Sequence, residues 1–238
     1  MNFTTKKVKI VFIGDSHLGN VKCDEKLFYE KLEKARHMNN TYIYLMGDLI
    51  DNAISYVGEE DQWLSVEYQL KRLKMLIQPI KHKIIGCILG NHEWRTTKKA
   101  KANLLKEVYE GIIGIPVKNF GDYFTISVGS QQYRIITRHP STGGTTIGWI
   151  TGMFKKESRI IAGDYDLMVF GHFHRKLIHK RIYMKIDGKL YTKWDCISGH
   201  FLDYYDGYAH QKLLTPHEKG CIIATFYRDE HKVEVEEF

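Results

Sequence analysis

Four short apolar runs in this chain each stop at a glycine followed by residues able to hold a metal ion. Residues 8–13 lead into Gly14-Asp15-Ser16-His17, and residues 41–46 into Gly47-Asp48-Leu49-Ile50-Asp51. Residues 83–89 lead into Gly90-Asn91-His92-Glu93, and residues 167–170 into Gly171-His172-Phe173-His174. A fifth run, 133–137, continues into Arg138-His139-Pro140. Short apolar runs bounded by turn signals read as buried strands. Strand C-termini in an α/β sheet share one rim, so residues just beyond them converge although they are distant in sequence. Alternation along an extended chain would aim Asp15 and His17 together, and likewise His172 and His174. A preceding glycine lets the backbone turn sharply and approach closely. Taken singly, each motif has an ordinary reading as a turn, a helix cap or a pair of surface histidines. The conjunction of all of them, each after a strand, argues against coincidence.

The remaining pattern predicts helices over 25–37, 61–77, 98–109 and 149–162, with further strands over 123–128, 179–186, 190–197, 221–227 and 232–236. Asp187-Gly188 and Asp229-Glu230 mark hairpin turns. Alternating β and α segments followed by a strand-rich half predict an α/β fold. Its form is two mixed β-sheets packed face to face as a sandwich flanked by helices, four layers in αββα order. With 238 residues, 43% hydrophobic, and no repeat or Pro/Ser-rich linker, residues 1–238 are expected to form a single domain. Residues 198–219 read as a Tyr- and His-rich loop, a candidate flap on the substrate side. No apolar run approaches the roughly 18 residues of a membrane span, so no membrane partner is expected. The run 8–13 follows lysines but ends on Gly14-Asp15 without a small-residue cleavage site, and reads as a first strand rather than a leader. The four cysteines form no C-x-x-C pair, and Cys87 and Cys221 lie inside apolar runs, which points to a reducing, cytoplasmic setting. The formal charge of +7 suits an anionic partner. Oligomeric state is not legible.

In order and spacing, the motifs resemble those of the calcineurin-like metallophosphoesterase superfamily, whose pattern runs D-x-H, G-D-x-x-D, G-N-H-E/D, H, G-H-x-H. The match spans Gly14 to His174, and small phage-type and DNA-repair-type members are similar in length. The resemblance implies that Asp15, His17 and His174 hold one divalent metal ion, that Asn91, His139 and His172 hold a second, and that Asp48 bridges them. Mixed histidine, carboxylate and amide ligation suits Mn first, with Fe, Zn or Ni as alternatives. Two such ions about 3.5–4 Å apart share a bridging hydroxide as nucleophile and clamp the phosphoryl oxygens. His92 takes the role of general acid or charge stabiliser, and Asp51 that of the group orienting it. Pro140 stands where the family commonly has glycine. It biases His139 toward extended backbone, which leaves the side chain free to ligate.

Protein Ser/Thr phosphatases of the superfamily carry arginines at the positions of Asn52 and Leu89, suited to gripping a dianionic monoester. Their absence favours a phosphodiester. The expected function is therefore a binuclear-metal-dependent phosphodiesterase acting on nucleic acid or nucleotide-like diesters. The alternatives are a small-molecule phosphomonoesterase or pyrophosphatase and, last, a non-catalytic binding scaffold. Candidate substrate-binding residues are Arg95, which opens the basic run 95–101, His200 at another strand end, and Tyr204 in the Tyr-rich segment.

Overall fold

The computed structural model describes residues 1–238 except 55–58, 142–143, 145, 185, 212 and 214. In chain order its strands are β1 (Asn2–Phe3), β2 (Lys7–Ile13), β3 (Thr41–Leu45), β4 (Ile84–Leu89), β5 (Lys118–Asn119), β6 (Gly121–Val128), β7 (Gln131–Arg138), β8 (Leu167–Phe170), β9 (Lys176–Met184), β10 (Leu190–Ser198), β11 (Ile222–Tyr227) and β12 (Val233–Glu237). The helices are α1 (Glu25–His37), α2 (Val66–Ile77), α3 (Asn91–Ala100), α4 (Leu104–Ile113), α5 (Ile147–Ile160) and the one-turn α6 (Tyr208–Gln211).

The strands form two six-stranded sheets. Sheet I has the order β12-β11-β2-β3-β4-β5, and sheet II the order β1-β6-β7-β8-β10-β9. Both are mixed. In sheet I, β2, β3, β4 and β5 run parallel while β11 pairs antiparallel with β2 and β12. In sheet II, β7, β8 and β10 run parallel between antiparallel partners β6 and β9.

The strand period of two sorts side chains into layers. On β2, Val8, Ile10 and Phe12 enter the layer between the sheets, where they meet Ile135, Leu167, Val169 and Cys196 of sheet II. Val11 and Ile13 of the same strand face the other way and pack with Phe28 and Leu32 of α1, Leu73 and Ile77 of α2, and Tyr109 of α4. Met168 and Phe170 of β8 likewise turn outward onto Ile150 and Phe154 of α5. The result is the αββα sandwich that the sequence pattern predicts.

Element boundaries differ in instructive places. The expected helix over 98–109 is two helices, with Lys101 between them in the left-handed region at φ 53°. Helix α3 begins seven residues earlier than its apolar periodicity would suggest, on the Gly90-Asn91-His92-Glu93 motif itself. Capping starts it, because the Glu93 carboxylate turns back to accept from the Gly90 backbone N–H at 2.8 Å. Helix α2 begins at Val66 rather than 61. Residues Glu59–Asp61 form a single 3₁₀ turn, and Trp63, within the expected helix, lies outside it and is 63% exposed. Segment 198–219 holds α6 and two isolated bridges, Cys23 to Leu202 and His200 to Gly220, which tie it to sheet I's side of the rim. Among the described residues no helix is long and apolar enough to cross a membrane, and all four cysteines are free.

Phe12 is fully buried between the sheets. Phe12→Ala should lower unfolding free energy by about 4 kcal/mol in urea denaturation, the loss expected of a close-packed core aromatic. A loss below about 1 kcal/mol would mean that the inter-sheet layer is loosely packed.

Candidate metal centre

The parallel strands β2, β3 and β4 of sheet I and β7, β8 and β10 of sheet II end at one rim, and each delivers a polar residue there. Hydrogen bonds stitch the two sheets at that point. Asp15, after β2, accepts the backbone N–H of His172, after β8, at 3.1 Å. His139, after β7, has Nδ1 2.6 Å from the Met46 carbonyl beside β3, so Nδ1 carries the proton and Nε2 turns toward the carboxylates.

The local geometry that aims these side chains is not extended alternation. Asp15, His17, Asp48, His172 and His174 all have positive φ, between 47° and 78°. Non-glycine residues adopt this region at a cost of about 1–2 kcal/mol each, and such strain collects at functional sites. Close backbone approach makes the strain possible. Gly47 has φ +84°, and a Cβ there would lie 2.5 Å from the Gly90 backbone nitrogen.

Three sets of donor atoms lie within metal-sharing distance: Asp15, His17 and His174; Asp48, His139 and His172; and His17, Asp51 and His92. In the first set, His174 Nε2 is 3.4 Å from Asp15 Oδ1 and 3.2 Å from His17 Nε2. In the second, His139 Nε2 is 3.1 Å from Asp48 Oδ2 and 4.0 Å from Asp15 Oδ1, which places Asp48 and Asp15 on either side of one ring nitrogen. His139 Nε2 makes no well-aligned hydrogen bond, and Asn91 Oδ1, at the first residue of α3, is buried without a partner. Buried polar atoms that converge unpaired are expensive, and here they comprise imidazole nitrogen, amide oxygen and carboxylates, the donor set of divalent transition ions. The residues fit such ions.

Electrostatics agree. Burial alone would depress His139, but Asp48 and then Asp15 raise its pKa to about 10. Burial would raise Asp48, yet the neighbouring His139 holds it well below the usual carboxylate range. The Asp48 carboxylate thus faces His139 Nε2 across a gap where a cation would be held by both. Burial and the neighbouring His139 charge lower His172 to about 4, which leaves it a neutral donor.

His92 is differently held. Its Nδ1 bonds the Asp51 backbone carbonyl, and Arg95 donates through Nη2 to its Nε2 at 3.0 Å. Burial first, with the His17 and Arg95 charges, lowers its pKa to about 3, so the ring is neutral. The Asp51 carboxylate is 3.7 Å from His92 Nδ1 but closer to His17 Nδ1, at 3.4 Å, and it accepts from Asn20 at 3.2 Å. In this geometry Asp51 orients His92 through its main chain and His17 through its side chain.

His200 lies at the rim with its ring nearly parallel to His174, centroids 5.6 Å apart. Tyr204 packs instead with Tyr205 and His210. The cavity of about 280 Å³ beside that group is lined by Glu60, Asp61, Asp206 and His210, carboxylates that repel a phosphate backbone. Lys98 and Lys99 fall in the last turn of α3 rather than at its start, about 10 Å along the axis from Asn91.

Sequence reasoning gave no role to Glu93, Gln69 or Asn20. Glu93 is fully buried; its Oε2 accepts from Asp48 N (2.9 Å) and Gly90 N (2.8 Å), and its Oε1 from Leu49 N (2.8 Å) and the Tyr109 hydroxyl (2.9 Å). Gln69 is fully buried and accepts from Asn52 N at 2.9 Å. Its signal was available, since residues 69, 73 and 77 share the buried stripe of α2 and only the first is polar.

The calcineurin-like phosphoesterase family profile matches residues 8–176, more than half of the chain. The chain belongs to that family. It is a metal-dependent hydrolase of phosphoric esters, and the donor groups described above, which could hold a metal ion, lie within the matched span. No curated protein matches it in sequence. Among solved structures it is similar to a vacuolar protein sorting 29 from Cryptosporidium parvum (16% identity, 98% of this chain and 99% of that one, TM-score 0.47). It is similar also to a predicted phosphoesterase from Streptococcus pneumoniae (12% identity, 99% of each chain, TM-score 0.40). A putative 5′-nucleotidase from Staphylococcus aureus matches at 13% identity over 97% of this chain and 53% of that one, with a TM-score of 0.50, and shares the fold.

Glu93→Gln in this phosphoesterase places an amide N–H against at least two donors that now point at a carboxylate oxygen. Urea denaturation of the metal-free protein should show a loss of about 3 kcal/mol, that of a buried charged acceptor removed. An unchanged midpoint would show that the 48–50 turn does not depend on Glu93.

Proposed function

We propose that this phosphoesterase is a binuclear enzyme that cleaves phosphodiesters, of nucleic acid or nucleotide-like class. The observation that carries the reading is the convergence of Asp48 between two donor groups: its Oδ2 faces His139, whose neighbour is His172, while Asp15, His17 and His174 close the other side. Asp15, His17 and His174 would hold one divalent ion, Asn91, His139 and His172 the other, with Asp48 shared, and Mn is the first candidate. Bound there, the ions supply Lewis-acid charge at the phosphoryl oxygens and a nucleophile at neutral pH.

The protein's own groups do the rest. Asp48 Oδ1 accepts the His92 backbone N–H at 2.8 Å, so the bridging carboxylate is fixed against the start of α3. The Asp51 carbonyl fixes the His92 ring through Nδ1 and leaves Nε2, a lone pair in the resting site, as the end that would serve the leaving oxygen once it has taken up a proton. Neither Asn52 nor Leu89 can grip a monoester. Leu89 is a core residue, and the Asn52 amide is spent on the His92 carbonyl (2.5 Å) and Thr96 (3.0 Å). With no arginine at those positions, charge matching favours a monoanionic diester over a dianionic monoester. The acidic cavity beside Tyr204 gives no support to base stacking on the Tyr-rich segment, so a long nucleic-acid track there is disfavoured against a compact diester.

With Mn supplied, kcat/KM on bis-p-nitrophenyl phosphate should exceed that on p-nitrophenyl phosphate at least roughly tenfold, and His92→Ala should slow diester cleavage by about 10²–10⁴. A preference for the monoester would move the assignment to the phosphomonoesterase class. Diester turnover unaffected by His92→Ala would remove His92 from the chemistry.

A further inference from the structure

We propose that Arg95 is the phosphoryl-gripping residue of this site, and that its guanidinium exchanges between His92 and the substrate, so that substrate binding itself uncovers His92 Nε2. The proposal rests on the phosphodiesterase reading and names the group that recognises its substrate.

Arg95 follows His92 by three residues on α3, a spacing that puts both side chains on one helix face. Its Nη2 donates to His92 Nε2 at 3.0 Å and its Nη1 to the Asp51 carbonyl at 3.3 Å. Because His92 Nδ1 is committed to the Asp51 carbonyl, the neutral ring carries its proton there, and Nε2 offers only a lone pair to the arginine. Both acceptors of the guanidinium are therefore uncharged. A phosphoryl oxygen is anionic, and charge-assisted hydrogen bonds are roughly twice as strong as neutral ones. An anion at the metal rim competes successfully for the same fork. When Arg95 moves to it, His92 Nε2 loses its cover.

The stoichiometry of charge gives the specificity. Arginine reaches this site from the third position after His92, not from the positions of Asn52 and Leu89, and it comes as one fork. One guanidinium matches the two non-bridging oxygens and single charge of a diester. A purely structural role is the competing account: Arg95 would then be a fixed brace between α3 and the 48–52 turn, and would stay on His92 whatever bound.

Nitrogen NMR of the Zn-loaded protein, titrated with inorganic phosphate, separates the two. In the wild type the His92 Nε2 resonance should move as phosphate saturates. In Arg95→Ala it should begin near the shifted position and stay there, with the phosphate Kd raised roughly 10- to 100-fold for loss of a charged hydrogen-bonding partner. Arg95→Lys, which keeps the charge without the fork, should fall between. On bis-p-nitrophenyl phosphate, Arg95→Ala should raise KM more than it lowers kcat, the pattern of lost ground-state grip. A wild-type His92 resonance indifferent to phosphate, or an unchanged phosphate Kd in Arg95→Ala, makes Arg95 a brace and overturns the proposal. If phosphate moves His92 as expected while bis-p-nitrophenyl phosphate is not cleaved, the grip stands and the diesterase reading fails.

Discussion

The Glu93 carboxylate is the point on which the site depends. A charged group taken wholly out of water is tolerable only if its lone pairs are filled. Here they are filled by the backbone N–H groups of Asp48, Leu49 and Gly90 and by the Tyr109 hydroxyl. Each of those bonds fixes something the chemistry needs. The bonds to Asp48 and Leu49 hold the turn in which Asp48 adopts a left-handed backbone. The bond to Gly90 starts α3, and so sets the directions of Asn91, His92 and Arg95. The Tyr109 bond ties this group to α4 and the outer helical layer. Burial and the nearby Asp48 charge raise the Glu93 pKa, the electrostatic cost of placing two carboxylates so close; the bonds from Gly90 and Tyr109 pull the other way.

The same economy runs through the rim. Ligand candidates double as stitches between the sheets, since Asp15 receives the His172 N–H and His139 reaches the Met46 carbonyl. Their positive φ values are held by strands that are buried on both faces and cannot relax independently. A rigid sandwich thus keeps several strained residues and several unpaired donor atoms in one place, and a pair of cations is what would satisfy those atoms.

Much of this was legible in the sequence, for identifiable reasons. Strand period and the glycine-terminated runs give the layers and the rim, because both follow from local chain geometry and burial. That Asp15, His17, Asp48, His139, His172 and His174 meet at one rim follows from strand polarity, though their aim does not. What the sequence concealed depends on contacts across the chain. The start of α3 at Asn91 is set by a capping carboxylate, not by apolar periodicity, so a reading based on hydrophobic spacing placed the helix at 98. The left-handed turns that aim Asp15 and His17 are imposed by neighbouring loops such as that around Gly47 and Gly90. Asn52 read as a missing arginine, yet it is a clamp on the α3 backbone. Arg95 looked like the head of a basic patch, yet it faces His92 rather than solvent.

The proposed chemistry requires a two-ion centre bridged by Asp48. Anomalous diffraction from crystals grown with Mn tests it most directly. Two Mn peaks about 3.5–4 Å apart are predicted, one against Asp15, His17 and His174, the other against Asn91, His139 and His172, with Asp48 touching both. A single peak, or a pair of peaks that leaves Asp48 outside the coordination of either ion, would contradict it.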